Sequence, residues 1–302
     1  MKISVRRRHS AFLAGVASLA MALGATAMPA EAATQHRDVD YVALGDSYTA
    51  GTGAGPFTPT SPCVQTPGGY VDVVGKTGRV NLVANAACHG ALLDQYSSIP
   101  HSTAIPSVEQ QIHALAGGAL NDGTEFVSIT AGANDVGVTG VLVTCLTQQS
   151  STCLAAIQSS ATYFPEMQLD LVNRLHEIRT AAPNAKIVVL GYPRLFDPAV
   201  PFGQADPLVL NSIDVAVGAL NSSIEGAVTA SGTSAVFVDV SQNFAGHEVN
   251  SADSWIFFSP PTVSPTGSPV FDPRNFHPNK EGHRAYASAL LEAAKPAQLT
   301  LH

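Results

Sequence analysis

Runs of consecutive apolar residues alternate along this chain with stretches in which apolar side chains return at helical spacing. Val39 to Leu44 is a solid apolar run and predicts a buried strand that leads straight into Gly45-Asp46-Ser47. Val80 to Ala84, Phe126 to Thr130, Lys186 to Leu190 and Val236 to Val240 predict four more strands. Between them, Tyr70 to Val74 predicts a short helix, and Ser107 to Ala116, Phe164 to Thr180 and Asp206 to Val228 predict longer ones. In the third of these, Leu171, Leu175 and Ile178 share one face. Pro278 to Ala293 predicts a closing helix with proline in its first turn. Strands separated by helices of this length predict a parallel sheet covered on both faces. Ligands of such sheets bind beyond the carboxyl ends of the strands, where Ser47 and Asn134 both fall.

The amino terminus follows a different pattern. Lys2 and Arg6 to Arg8 form a basic start, an Ala/Gly-rich apolar run reaches about Ala27, and Ala30-Glu31-Ala32 offers a small-x-small cleavage pattern. Residues 1–32 therefore read as a secretory signal peptide, and residues 33–302 as one domain. A membrane anchor fits less well, because the run ends at Pro29 and a cleavage site. The arginine triplet is compatible with twin-arginine export, but the general secretory route fits its flanks better. No later run reads as long and apolar enough to cross a bilayer. Removing residues 1–32 takes four of the 15 basic residues and one of the 23 acidic ones, which leaves a net charge of −11. Such a surface argues against nucleic acid and against anionic lipid held by net charge. The expected product is an extracellular monomer without stable membrane insertion.

Cys63, Cys88, Cys145 and Cys153 are an even set in a chain expected to meet an oxidising compartment. Three pairings are open. Closeness in sequence favours Cys145 with Cys153, which leaves Cys63 for Cys88. Zinc is the other reading, but Cys-x-x-Cys and His-Glu-x-x-His are both missing. The chain reads as needing no metal and no cofactor.

Acyl transfer at a serine needs the hydroxyl, an imidazole to take its proton, and donors for the oxyanion. Ser47 lies at a strand-to-turn junction, and by itself Gly45-Asp46-Ser47 is as easily a plain turn. Asn134, in Gly132-x-Asn134-Asp135, could donate an amide hydrogen or merely cap a turn. Gly90, in Cys88-His89-Gly90-Ala91, could bring a backbone N–H close to a ligand. His277 precedes the last predicted helix and is placed to be a base. Most of the other histidines after residue 32 read as surface residues, and His283 as a helix-face residue.

Taken together, these residues resemble the GDSL, or SGNH, hydrolases. Gly45-Asp46-Ser47-Tyr48 is similar to the nucleophile block, with Tyr48 where leucine often stands. Gly90 matches the second block, Gly132-x-Asn134-Asp135 the third, and His277-Pro278-Asn279 the last, in the family's order from residue 45 to 283. Tyr41 to Tyr48 and the even cysteines are similar to the secreted actinobacterial lipases and esterases of this family. The resemblance implies a three-layer αβα sandwich on a central parallel sheet of about five strands, the flavodoxin-like SGNH hydrolase fold. It implies Ser47 as nucleophile, His277 as general base and acid, and the Ser47 N–H, Gly90 N–H and Asn134 side chain as oxyanion donors. One position departs from the pattern. Arg274 stands where family members commonly carry the aspartate that supports the histidine. Some secreted relatives use a backbone carbonyl there, so the carbonyl of Arg274 or Asn275 is the expected support, giving a Ser–His dyad; Asp272 is the alternative.

No Gly-x-Ser-x-Gly elbow is present, which argues against the larger α/β-hydrolase family. Trp255 to Phe258, followed by Pro260-Pro261, is either a wall of an acyl pocket or a segment packed on the sheet. Two loops rich in Pro, Gly, Ser and Thr, Thr52 to Gly69 and Ser259 to Pro273, are further candidate walls. The expected substrate is a small-molecule or lipid ester, cleaved by a lipase or carboxylesterase with phospholipase A activity in reach. The competing readings are an O-acetyl esterase acting on polysaccharide and a non-catalytic binding module that kept the same shape.

Overall fold

The computed structural model describes residues 38–59 and 61–299. The expected signal peptide lies outside the described residues. Five parallel strands form the central sheet: β1 (Val39–Gly45), β2 (Val80–Asn85), β3 (Phe126–Thr130), β4 (Lys186–Leu190) and β5 (Val236–Val238). Their order is β2-β1-β3-β4-β5, so the chain reverses its winding direction between β1 and β3. That reversal opens a crevice at the carboxyl ends of the two central strands. Val42, Leu44, Val127, Ile129 and Val189 are fully buried, as strands covered on both faces must be. The α/β fold is the expected one.

The helices form at the expected places. They are α1 (Tyr70–Gly75), α2 (Val108–Leu115), α5 (Phe164–Ala181), α6 (Pro207–Ser231) and α7 (Lys280–Ala294). Ser107 and Gln110 form a capping box at the start of α2. Asp206 caps α6 through Leu208 N, next to Pro207 in the first turn. Three expectations need correcting. Helix α7 starts at Lys280 and not at Pro278, because Asn279 Oδ1 accepts from the Glu281 and Gly282 N–H groups and so sets the cap. Strand β5 stops at Val238, because the Asp239 carboxylate accepts from Ser241 N and turns the chain into a short 3-10 helix. Helix α6 is long and apolar enough to cross a membrane by length and composition, contrary to the sequence reading. Its inner face, including Leu210, Ile213 and Ile224, is buried, as in a core helix.

Two helices were not expected from the pattern, α3 (Val138–Thr147) and α4 (Ser150–Ala161). Both are rich in β-branched residues or serine, which are weak helix formers. The Cys145–Cys153 disulfide joins them; Cys63 is bonded to Cys88. A small antiparallel hairpin, β6 (Thr262–Val263) and β7 (Pro269–Val270), stands exposed before residue 271.

The start of α7 packs tightly against the segment around Trp255. A Cβ on Gly282 would lie 2.3 Å from the Trp255 carbonyl oxygen and 2.9 Å from Pro278 Cβ. Backbone cannot yield cheaply there, so Gly282→Ala should lower the unfolding free energy by about 1–3 kcal/mol. Urea denaturation measures this, and an unchanged midpoint would contradict the packing.

Candidate active site

Strand β1 ends at Gly45, whose φ is 129°. A Cβ there would meet the Thr130 carbonyl oxygen at 2.2 Å, so glycine lets β1 run close beside β3 before the chain turns. Asp46 follows and is buried. Its Oδ1 accepts from Thr130 Oγ1 at 2.8 Å and from Tyr48 N at 3.0 Å, and its Oδ2 accepts from Tyr192 Oη at 2.5 Å. Burial outweighs these bonds and raises the carboxyl to about 6. Tyr192 Oη also accepts from Ala133 N at 3.2 Å. The turn carrying Ser47 is thereby tied to the loop carrying Asn134.

His277 reaches the same crevice from 230 residues away, and its Nε2 lies 2.7 Å from Ser47 Oγ. Its Nδ1 lies 3.0 Å from the Asn275 carbonyl oxygen. A carbonyl can only accept, so Nδ1 carries the hydrogen. In the neutral ring Nε2 is then the bare nitrogen, facing the serine hydroxyl. Burial lowers His277 to about 3, and the nearby His89 ring adds to the effect. The imidazole is therefore neutral at pH 7 and able to take a proton.

Asp272 does not reach the histidine. Its carboxylate accepts from Arg274 Nε at 3.0 Å and Nη2 at 2.7 Å, and from Arg274 N at 2.9 Å. The Arg274 guanidinium holds Asp272 below the usual carboxylate range and itself lies over the Phe257 ring, 4.2 Å from its centre.

The Trp255 to Ser259 segment is a template for the histidine loop, and it does not line the cavity. Phe257 N donates to His277 O at 2.7 Å, Phe276 N donates to Phe257 O at 2.9 Å, and Ile256 bridges Pro278. The Asn275 amide clamps both backbone groups of Ser259, at 2.7 and 2.8 Å. Phe276 has a φ of 64°, a region most side chains avoid. Tyr48 Oη donates to Phe276 O at 2.7 Å and so holds that residue from the nucleophile turn.

A cavity of about 290 Å³ opens over this pair. Ser47, Gly90, Asn134 and His277 all line it, as do Val138, Leu142, Val217, Leu220 and Phe276. One Asn134 amide hydrogen goes to Ala91 O at 2.9 Å, which leaves the other for a ligand. Of the two loops expected as walls, Phe271, Asp272 and Pro273 of the second line the cavity, and Thr52 to Gly69 does not. Phe57 of that first loop packs edge-on against His89.

Four structural residues escaped the sequence reading. Tyr192 and Thr130 had no motif to mark them. His89 lines the cavity, with its Nδ1 3.0 Å from Thr52 Oγ1, although the sequence assigns it no role of its own. Its position beside Gly90 was the available signal. His283 is buried, with Nε2 3.0 Å from Thr52 O and Nδ1 accepting from Tyr70 N at 3.2 Å. It braces the turn after Ser47 from beneath.

The GDSL-like lipase/acylhydrolase family model matches residues 43–285. The chain belongs to this family. Its members are carboxylic ester hydrolases, and so is this protein. A lipase of Streptomyces rimosus is 30% identical over 262 residues, covering 85% of this chain and 89% of the relative. Lipase 1 of Streptomyces coelicolor is 30% identical over 245 residues, covering 80% and 85%. Among solved structures, phospholipase A1 from Streptomyces albidoflavus superposes with a TM-score of 0.68 at 29% identity, covering 84% of this chain and 98% of that one. The extracellular lipase of Streptomyces rimosus gives 0.67 at 28%, covering 84% and 99%.

The ion pair between Asp272 and Arg274 places no carboxylate on the histidine. Asp272→Asn should therefore change kcat on a soluble ester by less than about tenfold, against the roughly 10⁴-fold loss seen when a supporting aspartate is neutralised in a true triad. Steady-state kinetics decide, and a loss of several orders of magnitude would show that Asp272, and not the Asn275 carbonyl, supports His277.

Proposed function

We propose that this hydrolase cleaves lipid-like acyl esters through a Ser47–His277 dyad. The observation that carries the reading is the 2.7 Å contact from His277 Nε2 to Ser47 Oγ at the base of a largely apolar cavity. His277 takes the hydroxyl proton as Ser47 Oγ attacks the ester carbonyl carbon. The Ser47 N–H, the Gly90 N–H and the remaining Asn134 amide hydrogen hold the oxygen that becomes negative. The tetrahedral species collapses, the alcohol leaves with the proton from His277, and the acyl group stays on Ser47. Water then attacks the acyl-serine with His277 again as base, which releases the acid and restores the hydroxyl. The Asn275 carbonyl orients the imidazole and stabilises its charged form without itself carrying a full charge.

Residues 1–32 serve on this reading as an export signal, and the two disulfides support a folded life in an oxidising compartment. Every group of the dyad and its oxyanion donors comes from one chain, which supports action as a monomer. The names of the Streptomyces relatives, lipase and phospholipase A1, favour lipid esters over acetylated polysaccharide.

A fluorophosphonate probe should label the purified protein, and Ser47→Ala should abolish both labelling and ester hydrolysis. Folded protein that stays unlabelled would overturn the reading. Asn134→Ala should lower kcat by about 10²–10³-fold with little change in KM. A change confined to KM would remove Asn134 from the oxyanion site. The acid limb of kcat/KM follows His277. Its base form is lost only as pH falls through its lowered pKa, so activity should persist well below the ordinary imidazole value of about 6.5. A limb at or above 6.5 would contradict a desolvated base.

A further inference from the structure

A second cavity, about 460 Å³, lies between α3, α4 and α6, beside the catalytic one. Its lining is overwhelmingly apolar, with Val141, Ile157, Phe164 and Ala216 among its walls. Val138 and Leu142 of α3 and Val217 and Leu220 of α6 line both cavities. The two spaces therefore meet along one apolar seam, a turn beyond Asn134. No residue of the histidine loop, 271–277, lines the second space. At its margin Leu154 and Val215 are 43% and 65% exposed, which is unusual for large apolar side chains on neighbouring helices.

We infer that this α3–α4–α6 groove holds the distal part of a long fatty acyl chain whose ester lies at Ser47. The inference rests on the proposed dyad and specifies its substrate. In that reaction the leaving alcohol must stay beside His277 Nε2, which protonates it. The acyl part remains bonded to Ser47 and must extend from the serine in another direction. The seam provides that direction, with apolar walls and no histidine-loop residue. A chain that outgrows the smaller catalytic cavity gains burial only by crossing the seam, at roughly 0.8 kcal/mol for each methylene removed from water. Short acyl groups never reach it, so the groove separates long from short acyl esters and leaves the chemistry at Ser47 alone.

The test compares p-nitrophenyl laurate with p-nitrophenyl butyrate, which share one leaving group, and adds dodecyl acetate, whose long chain is on the alcohol. Ala216→Trp and Ala161→Trp each fill the groove from a different helix. Each should lower the laurate-to-butyrate ratio of kcat/KM by at least about tenfold and leave the dodecyl acetate-to-butyrate ratio within about twofold. Ala230→Trp, on the exposed side of α6 and outside the groove, should change neither ratio. Leu142→Ala widens the seam and should raise the laurate ratio, which a loss of stability would not do. The inference is overturned if both filling variants keep the laurate ratio, if they lower both esters equally, or if they act on dodecyl acetate instead. Wild-type protein that hydrolysed none of the three esters would overturn the dyad reading itself, a result distinct from all of these.

Discussion

The buried Asp46 carboxylate organises the carboxyl edge of the sheet. Three donors converge on it, from Thr130 at the end of β3, from Tyr192 just beyond β4, and from the backbone of Tyr48. A carboxylate out of water needs such partners, since an unpaired one would be strongly disfavoured. Satisfying it forces the ends of three neighbouring strands into one arrangement. Ser47 is the next residue, so its position follows from that arrangement. Tyr192 extends the network to Ala133 N, and Asn134 is thereby held at a set distance from the serine turn. Part of the carboxyl's raised affinity for protons is the cost of this central burial.

His277 is placed by different means. Its Nδ1 donates to the Asn275 carbonyl oxygen; backbone carbonyls and an antiparallel template from Phe257 to Ser259 hold the loop. Asp272, five residues before the histidine, is held by Arg274 in an ion pair. A neutral acceptor leaves the imidazole a weaker base than an aspartate would, and burial lowers it further. What remains is orientation, through the fixed tautomer and a bare Nε2 facing the hydroxyl. Tyr48 completes the coupling, because its hydroxyl holds Phe276 while its backbone N–H holds Asp46. A single residue thus links the turn that carries Ser47 to the loop that carries His277.

The apolar space is built from parts with little signal of their own. Helices α3 and α4 have poor intrinsic helix formers and a weak periodic face, and they are kept together by Cys145–Cys153 and by packing on each other, with α4 also against α6. Helix α6 is apolar enough to pass for a membrane span, yet it packs on α5, α4 and β5 as a core helix does. The same excess of apolar residues that confuses a composition test gives the groove its lining.

Sequence alone determined the sheet, the long helices and four residues, Ser47, Gly90, Asn134 and His277, that line one cavity. Buried parallel strands leave continuous apolar runs, and reactive groups at strand ends leave short motifs whose order can be read. It left open the support of His277, because Arg274 and Asp272 are both near in sequence and only the folded loop shows that they bind each other. It gave no mark of Tyr192, Thr130 or His283 as braces, since a hydrogen bond between residues far apart in the chain imposes no local pattern. Nor did it disclose that Trp255 to Phe258 backs the histidine loop instead of lining the cavity, or that α3, α4 and α6 enclose a second apolar space. A cavity is a property of the distances between elements, and those are decided by packing. Local sequence records what each segment prefers by itself; which faces finally meet is settled only when the whole core closes.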